Sequence, residues 1–297
     1  MNAKQLRTLT RLTVKPLLRP WVPFKLRRML INCTRIIHTK IPDVERQFTT
    51  LDGIKTYSVK PADSAATKPT HILYLHGGGY VFGGLATHQQ LVDSLALIGQ
   101  VSVWMPEYRL APEYPFPAAL NDALNCYLTL LEQGIAAKNI VIAGDSAGGG
   151  LALALAVQLR TQHLPLPRAL VLLSPWVDLT LQHASLQEKA HLDLMLSVAG
   201  LRHCAQAYLG TTAANHPLCS PLYADLSNLP PILIQVGSDE ILLDDATALH
   251  SAVNNYGGDA SLQVYDGLWH VFQLHAYAQP AATDAVQSLF AWLDAPR

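Results

Sequence analysis

Short apolar segments alternate with helical patterns along most of the chain, and this alternation constrains the fold more than any other feature. The predicted strands cover residues 47–50, 54–59, 71–75, 101–104, 140–143, 169–173, 232–236 and 262–265. Apolar strands joined by helices are typical of a mostly parallel sheet covered on both faces. Asp52-Gly53 lies between the first two segments and predicts a hairpin, and therefore antiparallel pairing at one edge. The expected fold class is α/β.

Composition supports a folded chain with a large core. Hydrophobic residues make up 50% of the 297 residues and charged residues 14%, which excludes wholesale disorder. The spacing of Cys33, Cys126, Cys204 and Cys219 matches neither a metal site nor a disulfide framework. Free thiols in a reducing, cytoplasmic compartment are therefore expected. No histidine pattern predicts a metal, and no cofactor is expected.

The N-terminal arm, residues 1–40, is strongly basic. It holds 10 of the 21 Lys and Arg residues and no Asp or Glu, so residues 41–297 carry 11 basic and 22 acidic residues. Apolar residues recur at helical spacing from Leu6 to Ile37, and Pro16, Pro20 and Pro23 divide the pattern into two short amphipathic helices. A flap packed on the main domain is the favoured interpretation. The alternative is a helix lying on anionic lipid.

Two partner classes are not expected. Apolar stretches of about 18 residues, which a membrane-spanning helix needs, do not occur in the sequence. The acidic remainder of the chain carries no basic stripe or reader motif for nucleic acid.

A glycine-rich turn follows the predicted strand 140–143. It reads Gly144-Asp145-Ser146-Ala147-Gly148, a G-x-S-x-G motif between a strand and a helix. Such a turn holds a serine in a strained backbone conformation, exposed at the helix N-terminus, and flanking glycines avoid collisions with the strand and helix. Ser146 is therefore the predicted nucleophile.

A second glycine-rich turn, His76-Gly77-Gly78-Gly79, follows the predicted strand 71–75. Acyl transfer needs N–H donors close to the developing oxyanion, and glycines allow the backbone to approach. We expect the donors to be the N–H groups of Gly78, Gly79 and Ala147. A phosphate-binding loop is disfavoured because no Walker lysine follows.

A serine nucleophile needs a histidine base and an acid that orients it. His270 and Asp239 each follow a predicted strand, at the sheet edge where sites of open α/β sheets gather. The order Ser146, Asp239, His270 is that of the α/β-hydrolase fold. Rival candidates for the acid are Glu240, Asp244 and Asp245.

Together these motifs resemble the hormone-sensitive lipase-like family of bacterial carboxylesterases, which carry an HGGG motif. The resemblance covers about residues 45–295 and includes Tyr108–Glu113, Phe116–Ala119 and Ser174–Leu179 besides the two glycine-rich turns. Two positions depart from the family pattern. The family often has His-Gly-Phe where this chain has His270-Val271-Phe272, and its acid is often followed by Pro-Leu, whereas Glu240-Ile241 follow Asp239.

The resemblance implies an α/β-hydrolase fold with an eight-stranded sheet and a helical cap. Residues 1–45 and 180–227 would form the cap, and residues 46–179 and 228–297 the catalytic domain. It implies a serine carboxylesterase acting on small-molecule esters of short to medium acyl chains, with lactones and esters of hindered alcohols also compatible, and a homodimer is compatible with it. Alternatives are an amidase or deacetylase using the same triad, or a non-catalytic receptor.

Overall fold

The computed structural model describes residues 3–33, 41–63 and 67–296. The helices are α1 Ala3–Leu17, α2 Phe24–Cys33, α3 Leu85–Gly99, α4 Ala118–Glu132, α5 Ala147–Thr161, α6 Ser185–Glu188, α7 Val198–Leu209, α8 Leu243–Asn255 and α9 Pro280–Asp294. The strands are β1 Val44–Leu51, β2 Ile54–Pro61, β3 His71–Leu75, β4 Ser102–Pro106, β5 Ile140–Asp145, β6 Ala169–Leu173, β7 Ile232–Gly237 and β8 Ala260–Tyr265.

The eight strands form one sheet in the order β1-β2-β4-β3-β5-β6-β7-β8. β1 pairs antiparallel with β2 through the predicted hairpin, and β2 pairs antiparallel with β4. The remaining neighbours are parallel, as in the register Leu73 opposite Ile142 between β3 and β5. The fold class predicted from sequence is therefore confirmed.

Helices cover both faces of the sheet, and alternate residues of each central strand pack on opposite faces. On β5, Ile142 packs with α4, α5 and α8, whereas its neighbour Val141 packs with α3 and α9. All residues of β5 and β6 are buried. Apolar burial of this kind contributes roughly 25 cal/mol per Å² to folding, so the core fixes where each strand ends.

Two helical regions lie at the carboxyl edge of the parallel strands. The N-terminal arm supplies α1 and α2, and the segment between β6 and β7 supplies α6 and α7. They contact each other, since the ring of Phe24 stacks on that of His203 with a centroid separation of 4.5 Å. Arg7 and Arg28 also join the arm to the sheet domain through ion pairs with Asp239 and Glu113.

Several elements differ from the sequence predictions, and most strands are one to three residues longer at an end than their apolar runs indicate. Helix α8 was not predicted, because its apolar residues form only a narrow stripe that packs on β7 and β8. Helix α6 ends at Glu188, and Asp193 beyond it accepts hydrogen bonds from the N–H groups of Met195 and Leu196. The predicted second arm helix continued to Ile37, but residues 34–40 lie outside the described residues.

Candidate active site

Ser146 occupies the sharp turn between β5 and α5. Its backbone has φ 52° and ψ −121°, a conformation that L-residues rarely adopt, as the motif predicts. The turn tolerates no side chain two residues before or two residues after the serine. A Cβ on Gly144 would lie 2.3 Å from the Gly148 carbonyl oxygen, and one on Gly148 would lie 2.0 Å from that of Leu75. Close packing of the backbone around these glycines therefore fixes the position of Ser146 at the end of β5.

The second glycine-rich turn follows β3, the neighbour of β5. Gly78 and Gly79 have φ of 116° and 61°, and both line the same cavity as Ser146. A Cβ on Gly78 would lie 2.1 Å from the carbonyl oxygen of Phe82, so the tight turn requires glycine here. Ala147 is the first residue of α5, where backbone N–H groups have no partner within the helix.

Asp145 holds the two turns together, a role that sequence reasoning missed. Its carboxylate accepts hydrogen bonds from the Gly77 N–H and the Tyr74 hydroxyl, both 2.8 Å long, and lies 3.1 Å from Nε2 of His88. Burial alone would raise the pKa of Asp145, but these hydrogen bonds and the charge of His88 lower it. The side chain is thus an ionised anchor beneath the site. Its position as the variable residue of G-x-S-x-G gave no signal of this.

Tyr108 supports the same loop from below, since its hydroxyl donates to the His76 carbonyl oxygen at 2.6 Å. The ring of His76 stacks on that of Tyr108, and burial together with the nearby His88 lowers the pKa of His76 to about 4. His76 is therefore neutral and acts as packing rather than as a base.

His270 follows β8 and is 2% exposed. Its Nδ1 lies 3.0 Å from Oε1 of Glu240, a fully buried carboxylate at the end of β7. Oε2 of Glu240 accepts hydrogen bonds from Ser174 Oγ at 2.8 Å and from the Gly237 N–H at 3.0 Å. Both carboxylate oxygens are therefore fixed, and one of them orients the imidazole.

The environment of His270 favours its charged form. Burial works against the charge, but the Glu240 carboxylate, its hydrogen bond and the charges of Asp193 and Asp145 outweigh this and raise the pKa of His270 above its ordinary value. Such a histidine is suited to accept a proton and hold it briefly.

The hydrogen-bond partner of His270 is Glu240 and not Asp239, the acid expected from the sequence. Oδ2 of Asp239 accepts a hydrogen bond of 2.8 Å from Arg7 of α1. Successive side chains leave the turn after β7 in different directions, and only the longer, buried Glu240 faces the imidazole. One signal was present: Leu242 matches the leucine of the family's Pro-Leu when Glu240 takes the place of the acid, with Ile241 in place of the proline.

The two other rival carboxylates bind backbone groups. Asp244 accepts from the N–H of Ser185, and Asp245 from those of Val177 and Asp178, at 2.8 and 3.0 Å respectively. Both thus anchor the segment that follows β6 rather than the imidazole.

Val271 marks the other departure from the family pattern. Its φ of 48° is a left-handed conformation that favours glycine, and its N–H donates to Ser174 Oγ at 3.1 Å. The family's His-Gly-Phe fits this backbone without strain, whereas this chain places a β-branched side chain there. Val271 consequently presents an apolar side chain to the cavity next to His270.

Asp193 ties the insertion between β6 and β7 to the Glu240 turn. The buried carboxylate accepts a hydrogen bond of 3.0 Å from the N–H of Ile241. Burial raises the pKa of Asp193, while the charge of His270 and three backbone N–H donors act against this rise. Nothing in the local sequence pattern predicted this link.

Ser146, His270, Gly78 and Gly79 border one cavity of about 410 Å³. Its remaining walls are mainly apolar and come from both helical regions. Those from the arm include Leu6, Leu9, Val14, Leu17, Leu18 and Ile31, and those from the insertion include Met195, Leu196, Leu201 and Cys204. Such a cavity suits a small, mostly apolar molecule.

Metal-ligand groups, helix lengths and cysteine states bear on the class of site. Within residues 3–33, 41–63 and 67–296, His, Cys, Asp and Glu form no group that could hold a metal ion. Over the same ranges, every helix is too short or too polar to cross a membrane. The four cysteines, all within these ranges, are free thiols.

Known proteins are similar to this chain in both sequence and fold. The sequence pattern of the α/β-hydrolase fold family matches residues 72–274. An acetyl-hydrolase of Streptomyces hygroscopicus is 41% identical over 222 residues, 75% of this chain and 74% of that protein. An esterase of Acinetobacter venetianus is 37% identical over 268 residues, 90% of this chain and 87% of that protein. The crystal structure of an esterase from the bacterial hormone-sensitive lipase family superposes with a TM-score of 0.91, at 35% identity, over 98% of this chain and 96% of that one.

These similarities and the geometry agree on the class. The chain belongs to the α/β-hydrolase fold family, within the bacterial hormone-sensitive lipase group of esterases. It is a carboxylic ester hydrolase, which confirms the family expectation drawn from the two glycine-rich turns.

Proposed function

We propose that Ser146, His270 and Glu240 form the catalytic triad of this carboxylesterase. Ser146 Oγ attacks the ester carbonyl, and His270 takes its proton while the Glu240 carboxylate stabilises the imidazolium. His270 then protonates the departing alcohol, which leaves an acyl-enzyme on Ser146. A water molecule, deprotonated by His270, attacks this ester and releases the carboxylic acid.

The N–H groups of Gly78, Gly79 and Ala147 are the proposed oxyanion donors. They belong to the turn after β3 and to the N-terminus of α5, so the positive end of the helix dipole lies beside the developing charge. Losing one such donor costs on the order of 10²–10³ in turnover.

One observation carries the proposal: a buried histidine with a fixed carboxylate partner borders the same cavity as a serine held at positive φ. These groups lie at the ends of β5, β7 and β8. In the sheet β7 and β8 are adjacent, and β6 alone separates β5 from β7. A buried histidine and carboxylate that border a cavity are typical of functional sites.

The cavity supports small substrates. In this proposal the described parts of residues 1–45 and 180–227 form a cap over the sheet edge, and their apolar side chains bound the acyl and alcohol groups. A cavity of about 410 Å³ favours short- to medium-chain acyl esters over long-chain triglycerides. The name of the Streptomyces relative, an acetyl-hydrolase, points the same way. Lactones and esters of hindered alcohols fit the same chemistry.

A fluorophosphonate probe tests the nucleophile. The wild-type protein should gain the mass of one phosphonyl group, measured by intact-mass spectrometry, and Ser146→Ala should gain none. The variant should also lose hydrolysis of a short acyl ester while keeping its thermal denaturation midpoint. Labelling of a folded Ser146→Ala protein would overturn the assignment.

A further inference from the structure

The outer side of the N-terminal arm exposes an unusual amount of apolar surface. Six of the twelve large hydrophobic side chains that are exposed in the described part of the chain lie here. They are Leu9, Leu12, Trp21, Leu26, Met29 and Leu30, which we call the outer face of the arm. Leu12 and Trp21 are each 69% exposed. Folding ordinarily buries such residues in the core. A cluster of them at the surface is typical of a site that binds a partner or a membrane.

The remaining exposed hydrophobic residues differ in kind. Four of them are tyrosines, whose hydroxyl groups reach water, and the other two are Phe48 and Val264. The ring of Phe48 is covered by the ammonium group of Lys55 at 4.9 Å. The outer face of the arm is therefore a local feature and not a general property of this surface.

The arm itself contributes charges of a single sign to this face, and the nearby exposed carboxylate of Glu113 is paired with Arg28. Arg11, Arg19 and Lys25 are exposed among its apolar residues, and residues 1–40 contain no Asp or Glu. The guanidinium of Arg19 lies 5.0 Å from the ring centre of Trp21. Leucine and tryptophan interleaved with lysine and arginine on short helices are typical of helices that lie in the interface of an anionic membrane.

The inner side of the arm is already occupied, which holds the outer face in place. Leu6, Leu18 and Ile31 are buried against the cavity, and Arg28 donates to the carbonyl oxygens of Val81 and Ala111. The arm is thus already packed on the main domain without the apolar residues of its outer face.

The cavity also reaches this face. Leu9 and Thr13 line the cavity and are themselves exposed. The arm therefore has one side towards the cavity of Ser146 and the other towards solvent. Leu9 and Thr13 of α1 lie where the two sides meet.

We propose that the outer face of the arm is a docking site for anionic lipid surfaces. Insertion of Leu12, Trp21 and Met29 among the acyl chains would bury apolar area, and Arg11, Arg19 and Lys25 would meet the lipid phosphates. A second copy of the chain fits less well, because the cores of protein interfaces are depleted in charged residues. The docking is independent of the hydrolytic reaction.

Vesicle co-sedimentation with Ser146→Ala protein tests the proposal without any contribution from hydrolysis. Vesicles of phosphatidylglycerol and phosphatidylcholine should bind it at least about tenfold more tightly than phosphatidylcholine alone, because each basic residue near an anionic surface strengthens binding roughly fivefold. Raising the salt from about 0.1 to 1 M shortens the Debye length from about 10 to 3 Å and should weaken this binding.

Two pairs of substitutions separate the apolar contribution from general stickiness. The double variant Leu12→Ser/Trp21→Ser should bind anionic vesicles about tenfold less tightly. The matched control Tyr256→Ser/Tyr277→Ser removes side chains that are 51% and 47% exposed outside the arm, and should bind as before. In the wild-type background, Leu12→Ser/Trp21→Ser should still hydrolyse a water-soluble acetyl ester at the original rate, since neither residue lines the cavity.

A third variant tests the charge. Arg11→Gln/Lys25→Gln should abolish most of the preference for anionic over neutral vesicles while leaving the thermal denaturation midpoint unchanged. The proposal is wrong if the parent protein binds no vesicles, or if Leu12→Ser/Trp21→Ser binds like the parent. It is also wrong if that variant converts a stable dimer to a monomer in sedimentation velocity, which would mean that a second copy covers the face.

Discussion

At the scale of single residues, two adjacent carboxylates have entirely different surroundings. Glu240 is buried, holds His270 and has both oxygens hydrogen-bonded. Asp239 is partly exposed and pairs with Arg7 of the arm. Glu240 has the proposed catalytic role and Asp239 a structural one, because the two side chains leave the turn in different directions.

Isosteric substitutions distinguish the two. Glu240→Gln should lower kcat by about 10²–10⁴, since an amide at this position no longer stabilises the imidazolium and can favour the wrong tautomer. Asp239→Asn should change kcat by less than about threefold, in keeping with a surface ion pair worth about 0–1 kcal/mol. Steady-state hydrolysis of a short acyl ester measures both, and equal losses in the two variants would contradict the assignment.

The raised pKa of His270 predicts the acid limb of the pH profile. Hydrolysis needs neutral His270, so kcat/KM should rise with pH through a midpoint above the ordinary histidine value of 6.5. Removing the negative charge of Glu240 removes the main cause of the rise, so the residual activity of Glu240→Gln should have its midpoint at lower pH. Asp239→Asn serves as the control, and a larger shift in that variant than in Glu240→Gln would contradict the prediction.

At the scale of elements, the arm depends on one buried cation. Arg27 of α2 is 1% exposed, and its Nε donates to the Leu17 carbonyl oxygen at 3.1 Å and its Nη2 to that of Arg19 at 2.9 Å. These carbonyls lie at the C-terminal end of α1, where a positive charge is favourable. The guanidinium also lies 5.1 and 5.7 Å from the ring centres of Phe24 and Phe82. Arg27 thus fixes the corner between α1 and α2.

Replacing this cation should loosen the corner. Arg27→Met leaves the Leu17 carbonyl oxygen without its donor and removes one of the two donors to that of Arg19, so it should lower the free energy of unfolding by about 2 kcal/mol. Thermal denaturation followed by circular dichroism measures the effect. Arg11→Met, a substitution of the same shape at an exposed position of α1, should change stability by less than about 0.5 kcal/mol. Similar midpoints for the two variants would show that Arg27 is not a structural tie.

At the scale of the whole molecule, the proposed chemistry and its specificity come from different layers. The sheet brings together the turns after β3, β5, β7 and β8, whereas the arm and the insertion supply most of the apolar wall. Changes in that wall should therefore alter which esters are hydrolysed and leave the reacting groups in place.

Two leucines of α7 offer a matched test. Leu201 lines the cavity and Leu209 does not, although both are buried. Leu201→Ala should raise kcat/KM for hexanoyl and octanoyl esters relative to the acetyl ester, by roughly tenfold for the space of a few methylene groups. Leu209→Ala should keep the original ratio, while both variants lose about 2–5 kcal/mol of stability. An unchanged ratio in Leu201→Ala would show that the acyl chain lies elsewhere.

Local signals in the sequence were sufficient for the fold class. Strand positions, the first hairpin and the two glycine-rich turns follow from apolar runs and turn residues that act over a few positions. Helix α8 was missed because its narrow apolar stripe gains its stability from β7 and β8 and not from its own pattern.

The sequence by itself determined the parallel sheet, the strained position of Ser146 and the glycine loop beside it, because each depends on short-range sterics and on the burial of continuous apolar runs. Only the tertiary structure decided that Glu240 and not Asp239 faces His270, that Asp145 anchors both turns, and that Asp193 holds the Glu240 turn. These contacts join residues far apart in the chain, and the direction in which a side chain leaves a turn is set by the packing around it.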